Sequence, residues 1–215
     1  MINLRRKKSI KSEIFPYLRN FIIINIIIFI AIYIYGKIGI KELQKIIELF
    51  TFRDGFILIA IPIITIVTNG ILTSNIKSSL VFWKIKSPLP GCRIFSNLAL
   101  HDPRIDFNKI IKKYGNIPHE PSAQNKLWYE IYKRHQEKTI IRESHKNYLL
   151  TRDLSGLAFI FLFIVILSLF FIELNLRIKL IYSLFLLLQY LIISISARNY
   201  GNRFACNVLA EDSLN

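Results

Sequence analysis

The sequence predicts an all-α membrane protein: four transmembrane helices, with a mostly helical cytoplasmic loop domain between helices 2 and 3. Three observations lead there. Of its 215 residues 53% are hydrophobic, and the mean hydropathy is +0.39, more apolar than an ordinary soluble domain. Four long apolar runs punctuate the chain, Phe21–Tyr35, Phe56–Leu72, Leu154–Ile172 and Ile178–Ser196. The positive charges fall unevenly between those runs.

A helix needs about 17–25 apolar residues to cross a bilayer. The third and fourth runs meet that unaided, and the second meets it at the lower limit. The first gets there by recruiting Tyr17 and Leu18, with Arg19 reaching back to the headgroups. Lysine and arginine resist translocation. Segment 1–20 holds six of them, the central loop 73–153 fifteen and the tail after Ser196 two, against six in the two remaining connections. Both termini and the central loop are therefore expected in the cytoplasm, with the chain in the inner membrane. The net charge of +15 is in this view a topology signal, and nucleic acid is not an expected partner.

Taken in order, residues 1–20 form a basic cytoplasmic arm whose Arg5–Lys8 cluster suits anionic headgroups. Residues 21–72 carry helices 1 and 2, joined by an external amphipathic linker at 37–54. Asn25, Asn69 and Gln189 lie inside apolar runs. Their side chains are expected to bond across helix interfaces, which favours a homo-oligomer. The loop domain, 73–153, opens with Pro- and Gly-punctuated text. A short helix is expected over Asp106–Tyr114, capped by Asp106 and stopped by Gly115. It closes on a long helix from Ser122, whose side chain is expected to cap the first turn, to Asp153, free of proline and glycine and able to run on into the third span. Residues 154–196 form a transmembrane hairpin, and 197–215 a cytoplasmic tail that returns beside the base of the long helix.

Within the long helix Trp128, Tyr129, Tyr132, Arg134 and His135 gather aromatic and basic side chains. Such a mixture marks a docking face for a partner protein or for lipid. Asp153 is expected to pair with a tail arginine, Arg198 or Arg203. Cys92 and Cys206 form no CxxC pair and suit reduced thiols.

The chemistry missing from the sequence narrows the function. No Asp, Glu, Lys, Arg or His lies within the interior of a span, which disfavours a proton-coupled transporter. No GxxxxGK[ST], GxSxG or HExxH pattern occurs. No catalytic, cofactor-binding or metal-binding residue is therefore assigned, and no cofactor is expected. The first expectation is a non-enzymatic, oligomeric membrane component that couples a cytoplasmic or membrane protein partner to the bilayer through its basic loop. The first alternative is a pore-forming or membrane-perturbing effector or sensor, as in a bacterial defence system. The second is a headgroup-modifying enzyme using His101, His119, His135 and His145 with Asp102, Asp106, Glu120 and Asp153, all of which lie in the loop.

Overall fold

A computed structural model of the chain describes residues 9–37 and 55–214. The Arg5–Lys8 cluster and the amphipathic linker lie outside the described residues. Among the described residues all regular structure is helical, and the chain divides into two compact units.

Unit 1 comprises the first 72 residues and Gly156–Leu191. It holds α1 (Ile10–Lys37), α2 (Gly55–Ile71) and stretches of the two long helices α6 (Thr139–Phe171) and α7 (Leu176–Ser213). Three helices, α1, α6 and α7, are long and apolar enough to cross a membrane. The reason lies in the runs themselves: in hydrocarbon a helix satisfies every backbone polar group internally. Helix α1 starts at Ile10, inside the stretch expected as an arm, and buries Ile14, Leu18, Ile22 and Asn25 at helical spacing. Leu162, Val165 and Leu169 of α6 meet Tyr182 and Leu186 of α7, with Phe29 of α1 against Tyr182. The α6–α7 connection is tight, and Asn175 caps α7 by accepting from the Arg177 amide at 2.9 Å. Phe163, Phe170, Phe171, Leu180 and Leu184 are exposed, as apolar side chains are where lipid is the solvent.

Unit 2 comprises Thr73–Ser155 and Ile192–Asn215. It opens on α3 (Ser74–Phe82), capped by the Thr73 hydroxyl. Two 3₁₀ turns (Pro90–Arg93 and Ala99–His101) flank a π turn (Ile94–Leu98). Helix α4 (Phe107–Tyr114) follows, with the Asp106 carboxylate accepting from the Lys109 amide and Gly115 at φ +71° ending it. Both of those termini are as the sequence predicts, because a positive φ at the stop suits only a residue without Cβ. Helix α5 (Pro121–His135), the start of α6 and the end of α7 complete the unit.

The core of unit 2 lies between these helices: Val81, Phe82, Ile94, Ile110, Ile131 and Ile141 pack with Phe204, Ala205, Val208 and Leu209 of α7. Burying a large apolar side chain is worth about 1.5–3 kcal/mol, so the α7 residues are a structural part of this unit.

Three expectations are corrected here. Ser122–Asp153 is two helices, broken at Gln136–Lys138. No breaker residue causes it. Instead His135 bonds Asp212, and Lys138 pairs with Glu211. Those ties to the end of α7 fix a corner where intrinsic propensity alone favours continuing. The cap of α5 is Glu120, not Ser122: its carboxylate accepts from the amides of Ser122 and Ala123. Finally, residues 197–213 do not return as a separate tail. They continue α7 without interruption, and Gly201 is what lets them sit so close. A Cβ there would stand 2.9 Å from ring atoms of both Phe82 and Tyr148.

Candidate functional site

The aromatic-basic stretch singled out in the sequence lies on α5, and the structure divides its members. Trp128 is buried, and its Nε1 donates to the Ala205 carbonyl at 3.1 Å. His135 bonds Asp212 through Nε2 at 2.8 Å. Arg134 donates to the Tyr114 hydroxyl at 3.2 Å. Tyr132 is half-buried, while Arg134 and Tyr129 are exposed, Tyr129 at 48%. Most of this face is thus spent on the protein's own C-terminal helix.

Around Asp212 that contact becomes a polar lock. The carboxylate is 1% exposed and takes His135 and Lys113 on Oδ1 and the Tyr114 hydroxyl, at 2.8 Å, on Oδ2. Burial pushes this carboxyl up, but the hydrogen bonds from His135, Tyr114 and Lys113 outweigh it and hold it below the usual carboxylate value. Tyr114 is pushed up to about 12 by its own burial and by the same carboxylate. Nothing in the local sequence announces Asp212; its role depends on where α7 ends.

A second polar centre is Asp153. Its Oδ1 takes Lys77 at 3.4 Å and Arg152 at 2.9 Å, all three side chains being largely buried. The expected pairing with the tail arginines is corrected. Arg198 donates to the Val81 carbonyl and lies 4.2 Å from the centre of the Trp83 ring. Arg203 faces a separate cleft with Arg104 and Asn207. Arg198 is thus engaged by the end of α3, and Lys77 of α3 takes its place at Asp153.

Between these two centres α5, α6, α7 and the Leu89–Gly91 turn enclose a cavity of about 360 Å³. Trp128, Tyr129, Tyr132, Tyr148 and Phe204 form its walls, and Asn125, Lys133, His145 and Arg152 its polar points. The rings hold one another. Tyr132 stacks on Trp128 at 5.8 Å, Phe204 stands edge-on to both, and His145 lies flat on Phe204 at 4.8 Å. His145 Nδ1 shares a proton with the Tyr132 hydroxyl at 3.0 Å. Burial, helped by the Arg152 charge, pushes His145 down to about 4, so its ring is neutral at physiological pH. Below the floor Gln124, 1% exposed, accepts from the amides of Phe95 and Ser96 and so fixes the π turn. Sequence reasoning passed over Phe204 and Tyr148, which only the docking of α7 makes neighbours, and Gln124, whose role depends on the fold of the π turn.

Of the polar residues expected inside the spans, Asn25 bonds within its own helix. Its Nδ2 donates to the Phe21 carbonyl, and its buried Oδ1 is unbonded. Gln189 is half-buried. The four histidines are dispersed: His101 bonds Asn97, His119 lies beside Ile117 along another cleft, and His135 and His145 belong to the lock and the cavity. Among the described residues no group of histidine, cysteine or carboxylate side chains is placed to hold a metal ion. Both cysteines are free and buried. Comparison with known proteins yields no match: no family model, no curated protein and no solved structure is similar to this chain.

Proposed function

We propose that this chain is a non-enzymatic component of the cytoplasmic membrane. It crosses the bilayer four times, with α2 as the additional, shortest span and unit 2 and both termini in the cytoplasm. In the crossing helices the membrane stretches are Leu154–Phe171 of α6 and Ile178–Ser196 of α7. Its task is to couple a cytoplasmic or membrane protein partner to the bilayer, as an oligomer in contact with anionic lipid. One observation supports this above others. Helices α6 and α7 each run without interruption from an apolar stretch of unit 1 into the core of unit 2. A change of packing among Ile141, Tyr148 and Phe204 therefore acts on helices that also carry the apolar stretches.

The test places a photo-crosslinking residue at Tyr129 or Ile140, which are 48% and 54% exposed, in intact cells. A discrete protein adduct is expected, with the membrane potential unchanged on overexpression. Adducts to lipid alone, together with a collapsed potential, would overturn the reading in favour of a pore-forming effector. That second reading has one observation behind it, the unbonded Oδ1 of Asn25 beside Thr68 in a small cleft of unit 1. Reporters at Asn116 and after Asn215 test the orientation, and both should read cytoplasmic.

A further inference from the structure

The cavity of unit 2 has the chemistry of a ligand site, and we propose that it binds a flat aromatic ring carrying an anionic group. The shape argues for the ring. Its aromatic walls are held by one another, by the Trp128 bond to Ala205 and by the stacking of His145 on Phe204. A site already ordered before binding loses little freedom when filled. Its volume of about 360 Å³ is at the small end of ligand pockets, right for one ring system with a short substituent.

The charge argues for the anion. Lys133 and Arg152 line the cavity, and no carboxylate does. Arg152 gives Nε and Nη2 to Asp153 Oδ1 and leaves Nη1 uncommitted, while the same carboxylate oxygen also serves Lys77. Exposed Lys133 lies 5.3 Å from the centre of the Tyr129 ring, at the rim. A neutral apolar guest would desolvate Arg152 and Lys133 without compensation, whereas an anion pairs with them. Asn125 also lines the cavity, and its buried, unbonded Oδ1 can accept from a donor group on the ring.

This inference goes beyond the coupling reading, since binding is measured on the purified full chain with no partner present. Either can fail while the other stands. The experiment uses the chain in lipid nanodiscs with Trp83→Phe, so that Trp128 is the reporting fluorophore, the sequence having 2 tryptophans. The probes are adenosine monophosphate and 4-hydroxybenzoate, their neutral counterparts adenosine and 4-hydroxybenzamide, and inorganic phosphate. Saturable quenching by at least one ringed anion is expected, with its neutral counterpart and phosphate binding about tenfold more weakly or worse. Which of the two anions binds tells a nucleotide from an aromatic acid. Lys133→Glu, at an exposed position, should leave melting unchanged and weaken that binding about tenfold. Equal binding of charged and neutral probes, saturation by phosphate alone, no saturation by any probe, or an unaffected Lys133→Glu each overturns the proposal.

Discussion

Acidification should loosen unit 2 through His145, by an amount the structure sets. In the folded chain this imidazole is pushed from 6.5 to about 4 by burial and by Arg152. The unfolded chain takes up a proton near 6.5, and the folded chain does so only near 4. The stability tied to the neutral ring is therefore complete above the unfolded value and is lost as pH falls toward the folded one. Moving from about pH 7.5 to about pH 5 should cost about 2 kcal/mol from this residue alone. Resonances of labelled histidines in the detergent-solubilised chain would report the titration directly, and thermal melting of unit 2 would report the loss. His145→Phe keeps a ring against Phe204 and removes the titration, so its melting should change less between the two pH values. A His145 resonance that titrates near the ordinary value would refute the reasoning, since the ring would then be solvated and the cavity wall differently built.

Asp212→Ala should cost about 1–3 kcal/mol, because it removes the acceptor of half-buried His135 and Tyr114. Protease sensitivity at the end of α7 reads it out, and Asp212→Asn should recover part of the loss. The Asp212 carboxyl is held low in the folded chain, so its contribution is present above the ordinary carboxylate value of 3.8 and vanishes only as pH falls below it. Gly201→Ala forces a Cβ against Phe82 and Tyr148 and should lower stability by about 1–3 kcal/mol, measured by melting. Gln189→Leu should weaken self-association by about 1 kcal/mol if its amide bonds a second copy; sedimentation in detergent gives the distribution.

Much of the helical plan was legible because its signals are local. Long apolar runs with few polar interruptions specify α1, α6 and α7, and Asp106 with Gly115 specifies α4, since caps and stops act within a turn. The corner at Gln136–Lys138 was hidden for the opposite reason. No residue in it disfavours a helix; Asp212 and Glu211, more than seventy positions later, bend the chain there. Trp128 and His135 read as a docking face since their real neighbours, Ala205 and Asp212, sit in what looks like an unremarkable polar tail. Asp153 was correctly marked as a charge needing a partner, but Lys77 was as far from it in sequence as any candidate. The cavity was the least legible part. Its walls come from α5, α6, α7 and the Leu89–Gly91 turn, and no single stretch carries its pattern.

The placement of Phe204, Val208 and Leu209 in the core of unit 2 has a consequence for biosynthesis. The ribosome delivers Thr73–Ser155 first, then the α6–α7 hairpin, and the residues that fill the core only afterwards. At roughly 5–20 residues per second, Phe204 follows Ser155 by roughly 3–10 s. During that interval Ile94, Ile110 and Ile131 lack the side chains that cover them. Closing the core so late also pairs segments far apart in sequence, which slows folding. Unit 2 is thus completed only by the last helix to be made, so a chain whose last helix fails to dock is left with an open apolar core for quality control to find.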